Sequence, residues 1–331
     1  MTALSLRASA AESRTRGPRG LVWVMLRVHQ SALLFWLMLV AVTAGGLLWA
    51  YGPGADAAWA EYIEAGCGTT TSGFDCDMYG TAFQRYDNIV GVSSGLLTLV
   101  PLLTAAWAAS ALIGRELENG TARLAWTQSV SPARWLAAKL AVPAALLTAG
   151  MLTLTLLHRL MWSAGTELHE AWAVRAWDDS AIFLTNGTTA TAHALLGLAV
   201  GALVGLLLPR ALPALAVASV TTLAIAGALV ELRPHLWPTV TLTSTDDVPA
   251  PAAVVRDGAL TSDGSRIPLP DCLGEPGCLT KHDITGYYAD YHPTSHFWPL
   301  HLVETGIVLA AASVAVGAAF WLLRRRTGGA V

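Results

Sequence analysis

The residues that could do chemistry are few, and they cluster late in the chain. His282, His292, His296 and His301 crowd one stretch, with Asp283 and Asp290 among them. Imidazoles and carboxylates at that density are the donor types of a metal centre. They define one reading, a membrane-embedded enzyme or metal-binding protein acting through this His/Asp-rich segment. His292 and His296 have i, i+4 spacing, but Pro293 between them works against a helical face, and polar interfacial residues are the simpler account. The run Gly91-Val92-Ser93-Ser94-Gly95 matches the G-x-S-x-G of serine hydrolases. That motif needs a strand before it and a helix after it, and here it lies at the end of a long apolar run, so the match is read as chance. His193 and Glu304 are ionisable residues inside apolar runs, which makes them candidate polar groups of a transport path. No phosphate-cradling G-x-x-x-x-G-K-[ST] is present, because the only lysines, Lys139 and Lys281, follow Ala138 and Thr280. If ATP drives this protein, another chain must bind it.

The elements that position these residues are apolar. The chain has 331 residues, 54% hydrophobic and 13% charged, about half the charged fraction of a soluble globular protein. It reads as an all-α integral membrane protein with six transmembrane helices, at about 31–51, 89–113, 135–157, 189–208, 211–230 and 300–323. Pro101 and Pro143 fall inside spans two and three, where neighbouring helices can satisfy the freed carbonyls. Pro209-Arg210 alone separates spans four and five, which predicts a tight helical hairpin. Residues 1–30 form a basic N-terminus and an amphipathic surface helix (18–33 in its widest extent), with Arg19, Arg27 and His29 among Leu21, Trp23, Met25, Leu26 and Val28. No removable signal peptide is expected. Gly197, Gly201 and Gly205 share one face of span four, and Gly91 and Gly95 one face of span two. Such small faces admit close helix packing, and packing within one subunit is the preferred reading over association of subunits.

Orientation follows from the basic residues. With the N-terminus in the cytoplasm, 13 Lys and Arg fall inside and 7 outside, although the outer loops are much longer. Both termini are then cytoplasmic, in a multi-pass protein of the plasma membrane. The outer segments are 52–88, 161–188 and 231–299. The first carries Cys67 and Cys76, the last Cys272 and Cys278. Four cysteines allow three pairings. Pairing within each loop closes the smallest rings and is the expectation, with free thiols or a bridge between loops as the alternatives. The last segment is too long for a bare connector. It predicts a compact disulfide-bearing cap, with a small hairpin over 252–266 turning at Asp257-Gly258.

Between spans two and three lies a charged island, 114–139, flanked by the uncharged runs 89–113 and 140–157. It carries its own helix punctuation. Gly120 can end the helix leaving the membrane. Thr121 can cap a new one by accepting from the N–H groups that follow it. Ser131-Pro132 can cap the next, with proline at the first helical position. A short helix bearing Leu124 and Trp126 is thereby offered to the compartment the loop faces.

The string Arg115-Glu116-Leu117-Glu118-Asn119-Gly120-Thr121, followed by Leu124, Ser131, Arg134 and Lys139, resembles the cytoplasmic loop of type-2 ATP-binding-cassette (ABC) exporter permeases. The longer run RLAWTQSVSPARW is similar to permeases of high-GC Gram-positive bacteria. The specific match covers about 30 residues. The second element, AWTQSV, is more polar than the leucine-rich version of many members. The resemblance implies the permease subunit of an exporter, paired as a homodimer or heterodimer, and spans almost free of charge favour a hydrophobic or amphiphilic substrate over a small ion. It implies a cytoplasmic ABC ATPase as partner, which binds the ATP, with no cofactor of the permease's own, no catalytic role and no nucleic-acid partner. It also implies that Glu116, Glu118, Gly120, Thr121, Leu124 and Trp126 couple the loop to that ATPase. A third reading is a signalling or anchoring protein whose loop recruits a partner without transport.

Overall fold

The computed structural model describes residues 17–66, 80–128, 130–164, 176–208, 210–245, 253–272 and 277–328. Six of its helical stretches are long and apolar enough to cross a membrane: Gln30–Glu64, Thr81–Glu118, Pro132–Ala164, Thr189–Leu207, Ala211–His235 and Thr294–Arg326. They continue past the apolar runs that announce them. The 33 residues of Pro132–Ala164 reach roughly 50 Å at 1.5 Å per residue, well beyond a ~30 Å hydrocarbon layer.

A separate helix, α1 (Gly17–Val28), precedes span one and breaks from it at His29. Its Met25 is buried in the main core, while Trp23 and Val24 are exposed. Span one is α2 (Gln30–Trp49), a π-helical stretch Ala50–Gly54 and α3 (Ala55–Glu64). The wider π turn falls at Pro53, which has no N–H to give to a regular helical ladder. Span two is α4 (Thr81–Trp107), a second π stretch Ala108–Gly114 and α5 (Arg115–Glu118). Glu61 of α3 caps α4, its Oε2 accepting from the Ala82 and Phe83 N–H groups at 2.9 Å each. Then come α6 (Thr121–Gln128), α7 (Pro132–Ala164), the short α8 (Ser180–Thr185), α9 (Thr189–Leu207) and α10 (Ala211–Leu232). The last span is α12 (Phe297–Arg326).

α9 is the axis of the bundle. It packs on α4, α7, α10 and α12 and is the most enclosed span. Glycine explains how it gets so close to α4. A Cβ on Gly197 would run into the carbonyl oxygen of Pro101. One on Gly201 would lie 2.5 Å from the Ala105 oxygen, and one on Gly205 2.9 Å from that of Ala109. Both series step by four, so the two helices run in parallel with backbone against backbone. Gly95, by contrast, faces open space.

Between spans five and six the chain departs from an all-α protein. It forms a four-stranded antiparallel sheet in the order β1-β4-β2-β3, from β1 (Val240–Ser244), β2 (Val254–Thr261), β3 (Arg266–Ile267) and β4 (Ile284–Tyr291). Asp257 and Gly258 are not a turn. They pair with Ala289 and Tyr288 inside β2, and Gly258 is flat against the Ile267 oxygen and the Tyr288 ring. The hairpin turns instead at Asp263-Gly264, where Gly264 has φ +82°. The Asp263 carboxylate accepts from Thr261 Oγ1 at 2.6 Å and from Ser265 N at 3.0 Å. These bonds hold its pKa below the ordinary carboxylate value. Cys272 and Cys278 are bonded to each other, beside the one-turn helix α11 (Cys278–Lys281). Cys67 and Cys76 lie outside the described residues.

Candidate functional site

The charged island folds back onto the spans it joins. The π stretch ends at Gly114, where a Cβ would stand 2.5 Å from the Ala109 oxygen and 3.2 Å from Ala211 Cα. The loop is therefore pressed against the start of span five. Two residues on, Glu116 reaches span three twice. Its Oε1 accepts from Lys139 Nζ at 2.7 Å and its Oε2 from Trp135 Nε1 at 3.1 Å. Lys139 is buried, so this carboxylate supplies the compensation that a desolvated ammonium requires. Glu118 points the other way and accepts from the Ala211 backbone N–H, at the open N-terminus of α10, at 3.2 Å.

Gly120 ends the helix in the left-handed region, φ +73°, with its N–H donating to the Leu117 oxygen at 3.3 Å. Thr121 does not act as an acceptor cap. Its hydroxyl donates back to the Glu116 carbonyl at 3.2 Å, because Thr121 already lies within α6. Ser131 does cap α7, accepting from Arg134 N at 3.4 Å. Leu124 is 60% exposed. Trp126 turns inward and meets the Trp135 ring edge to face at 5.6 Å. Its indole N–H is buried with no hydrogen-bond partner among the described residues.

The second turn on this face is tied from the other end of the chain. Arg326, the last residue of α12, donates to the carbonyl of Leu206 and, at 3.4 Å, to that of Leu207. These are C-terminal carbonyls of α9, which have no helical partners of their own. One turn between spans four and five thus receives an acid from the island and a base from the last span.

At the opposite ends of the spans lies a buried polar layer. His193 donates from Nδ1 to the Thr189 oxygen at 2.9 Å. Glu304 is fully buried and takes a two-bond fork from Arg233, at 2.8 Å from Nε and 3.2 Å from Nη2. The same guanidinium stacks over Phe183 at 4.1 Å. His301 accepts from the Thr189 N–H at 3.0 Å and so caps α9. Beside them His158 bridges Ser94 Oγ at 2.9 Å and Asn186 Oδ1 at 2.6 Å.

Ser94, His158 and Asn186 follow the nucleophile, base and orienter order of an acyl-transfer site. The serine, however, is 3% exposed and the histidine 0%, and Ser94 Oγ also donates to the Val90 oxygen at 2.9 Å. The arrangement joins spans two and three to the start of span four; it is a structural clasp. Asn186, the first residue of an N-x-T sequon, is closed off by the same contacts.

The metal reading loses part of its donor set. His292 is bonded through Nε2 to the Pro234 oxygen, His301 serves Thr189, and Asp290 pairs with Arg266 at 3.1 Å. His292 and His296 do meet, with ring centres 5.4 Å apart, despite Pro293. Among the described residues, the one cluster with ligand-like spacing is Cys272, Cys278 and His282, and its two sulfurs are bonded to each other.

Sequence reasoning passed over Trp135, Arg326, His158, Asn186 and Arg233. Only Arg233 left a readable sign, since a carboxylate one turn inside a span calls for a cation on a neighbouring helix. The other contacts depend on which spans are neighbours.

The family model described as ABC-2 membrane transporter related matches residues 37–233, which run from span one through span five and include the whole island. No curated protein and no solved structure matches the chain. With more than half its length matched and six spans present, the chain belongs to the ABC-2 membrane transporter related family, as the membrane permease of an ABC transporter.

Proposed function

We propose that the protein is the permease of an exporter whose power stroke enters through the island 114–139. A separate cytoplasmic ATPase docks on α6, binds the ATP, and closes on it. The observation that carries this reading is the pair of glutamates on one helical turn. Glu116 fastens the island to span three, and Glu118 fastens it to span five. A push on α6 is then delivered to two spans at once, and through the Arg326 bonds to a third and a fourth. The basic residues favour an island and two termini on the cytoplasmic side. The apolar runs of the spans carry almost no charge, which suits a hydrophobic or amphiphilic cargo better than a small ion. Two such permeases, alike or different, would form the pathway. His193 and the Glu304–Arg233 pair close its outer end.

The test is co-purification with its ABC ATPase partner, sought first among the neighbouring genes, in wild type and in Gly120→Val. Valine is strained at the left-handed φ that Gly120 adopts, so the island loses its shape while the spans remain. Wild type should retain the ATPase, and the variant should release it at normal membrane levels. Equal retention by both would refute docking on the island.

A further inference from the structure

A cavity of about 700 Å³ opens between α1, α2, α4 and α7 on the side of the island. That is within the size range of small-molecule sites. Its floor is apolar, with Trp36, Leu39, Val100 and Leu146. Its rim is polar, with His29, Arg115 and Glu116. Val100 and Arg115 both line it and lie on one continuous helical stretch, so it extends roughly 22 Å along that axis. That is about one leaflet: half of a ~30 Å hydrocarbon layer plus part of the headgroup zone.

The rim has a definite charge. Glu116 is already neutralised by Lys139 and bonded to Trp135. Arg115 is exposed and has no ion pair among the described residues, which leaves the rim one positive charge. His29 stands against the edge of Trp107, and its Nε2 is buried without a partner among the described residues. Burial, and then the Lys139 ammonium, lower its pKa, so it offers a neutral hydrogen-bonding group beside the cation. An apolar slot one leaflet deep, ending in a single cation and an unsatisfied imidazole, has the polarity of one phospholipid with a negative headgroup.

We propose that this cavity binds an anionic phospholipid from the leaflet on the island side. Its phosphate lies at Arg115 and His29, and one acyl chain fills the floor between α2, α4 and α7. The lipid would grip the same turn that Glu116 fastens to span three, so its presence bears on how firmly the island is held. The site does not depend on the export reading, and binding is measured without an ATPase.

The experiment places the full chain in vesicles containing phosphatidylglycerol with a photoactivatable acyl chain, or phosphatidylcholine with the same chain. Phosphatidylglycerol should label peptides covering 100–107 and 142–147 about fivefold more than phosphatidylcholine does, the effect of one basic residue near a membrane surface. Arg115→Gln should bring the two lipids level. Leu103→Trp, at the half-exposed mouth of the cavity, should remove both labels there. Labelling at the lipid-exposed Leu212 and Val220 should stay unchanged in both variants, which reports an intact fold. Equal labelling by the two lipids in wild type would overturn the proposal. So would labelling that survives Leu103→Trp, or labelling confined to outward faces such as Leu212.

Discussion

The carboxylate of Glu118, two residues before the left-handed turn of the island, accepts a hydrogen bond from the backbone N–H of Ala211 at 3.2 Å. Ninety-three residues separate the two in sequence. A negative group at the N-terminus of α10 also meets the positive end of that helix's dipole. The contact is exposed to solvent, so its contribution to stability is small. Under the proposed coupling its consequence is mechanical, because it joins the island to span five without passing through span three.

Glu118→Ala should therefore cost no more than about 1 kcal/mol in thermal stability, the usual scale of a lost helix cap. Export driven by the ATPase should fall much further than stability does. Glu118→Gln keeps an acceptor oxygen and should recover most of the loss. Thermal unfolding in detergent and vesicle export, compared across the three proteins, decide the matter. A loss of export that merely tracks the loss of stability would show that the contact transmits nothing.

The Glu116–Lys139 pair should behave differently, because Lys139 is buried. Glu116→Leu strands an ammonium and should destabilise by roughly 3 kcal/mol, the low end for breaking a buried pair. Lys139→Met should be milder, since Glu116 is partly exposed and keeps the Trp135 N–H. The double variant removes both charges and should regain much of the stability. A double-mutant cycle on melting temperature measures the coupling, and strictly additive losses would mean that the pair is not coupled.

Much of this architecture was legible because membrane spans announce themselves by the absence of charge. The island was legible for the opposite reason, as a charged stretch with glycine and proline at helix ends. The sheet between spans five and six was not, because two Asp-Gly pairs lie six residues apart and both carry turn chemistry. What separates them is tertiary: Gly258 is needed where β2 passes the Tyr288 ring, and Gly264 where the chain reverses. The polar layer was hidden for a similar reason. Glu304 and His193 stand out in apolar runs, but Arg233 and His158 lie at span ends, where charge is expected. Nothing in one sequence says that Glu304 meets Arg233 or that His158 meets Asn186.

Span four gives a prediction about packing alone. Gly201→Leu puts a side chain where a Cβ already meets the Ala105 oxygen at 2.5 Å, and backbone cannot rotate aside. The cost should be about 3 kcal/mol or more, at the top of the range for overpacking. Gly95→Ala adds a methyl into open space within a helix and should stabilise by about 0.5–1 kcal/mol. Size-exclusion melting curves of the two variants provide the comparison. A tolerated leucine at 201 would show that α9 and α4 do not touch as described.

The two large apolar residues of α6 should divide their work. Leu124 is 60% exposed and touches little, so Leu124→Ala should leave the isolated permease as stable as wild type, within about 0.5 kcal/mol. Its loss should appear only with the ATPase present, as weaker co-purification. Trp126 is packed edge to face on Trp135, beside Lys139 and Glu116, so it links α6 to span three. A half-buried tryptophan that becomes enclosed at such a junction can carry about 2 kcal/mol or more, which is tenfold or greater in affinity. Trp126→Ala should thus weaken ATPase binding by about tenfold and also lower the stability of the permease on its own. Trp126→Phe keeps the ring contact and loses only an N–H that has no partner among the described residues, so it should pass for wild type in both assays. If Leu124→Ala binds the ATPase at full strength, and Trp126→Ala loses it only in proportion to unfolding, α6 is not the docking element and the power stroke enters elsewhere.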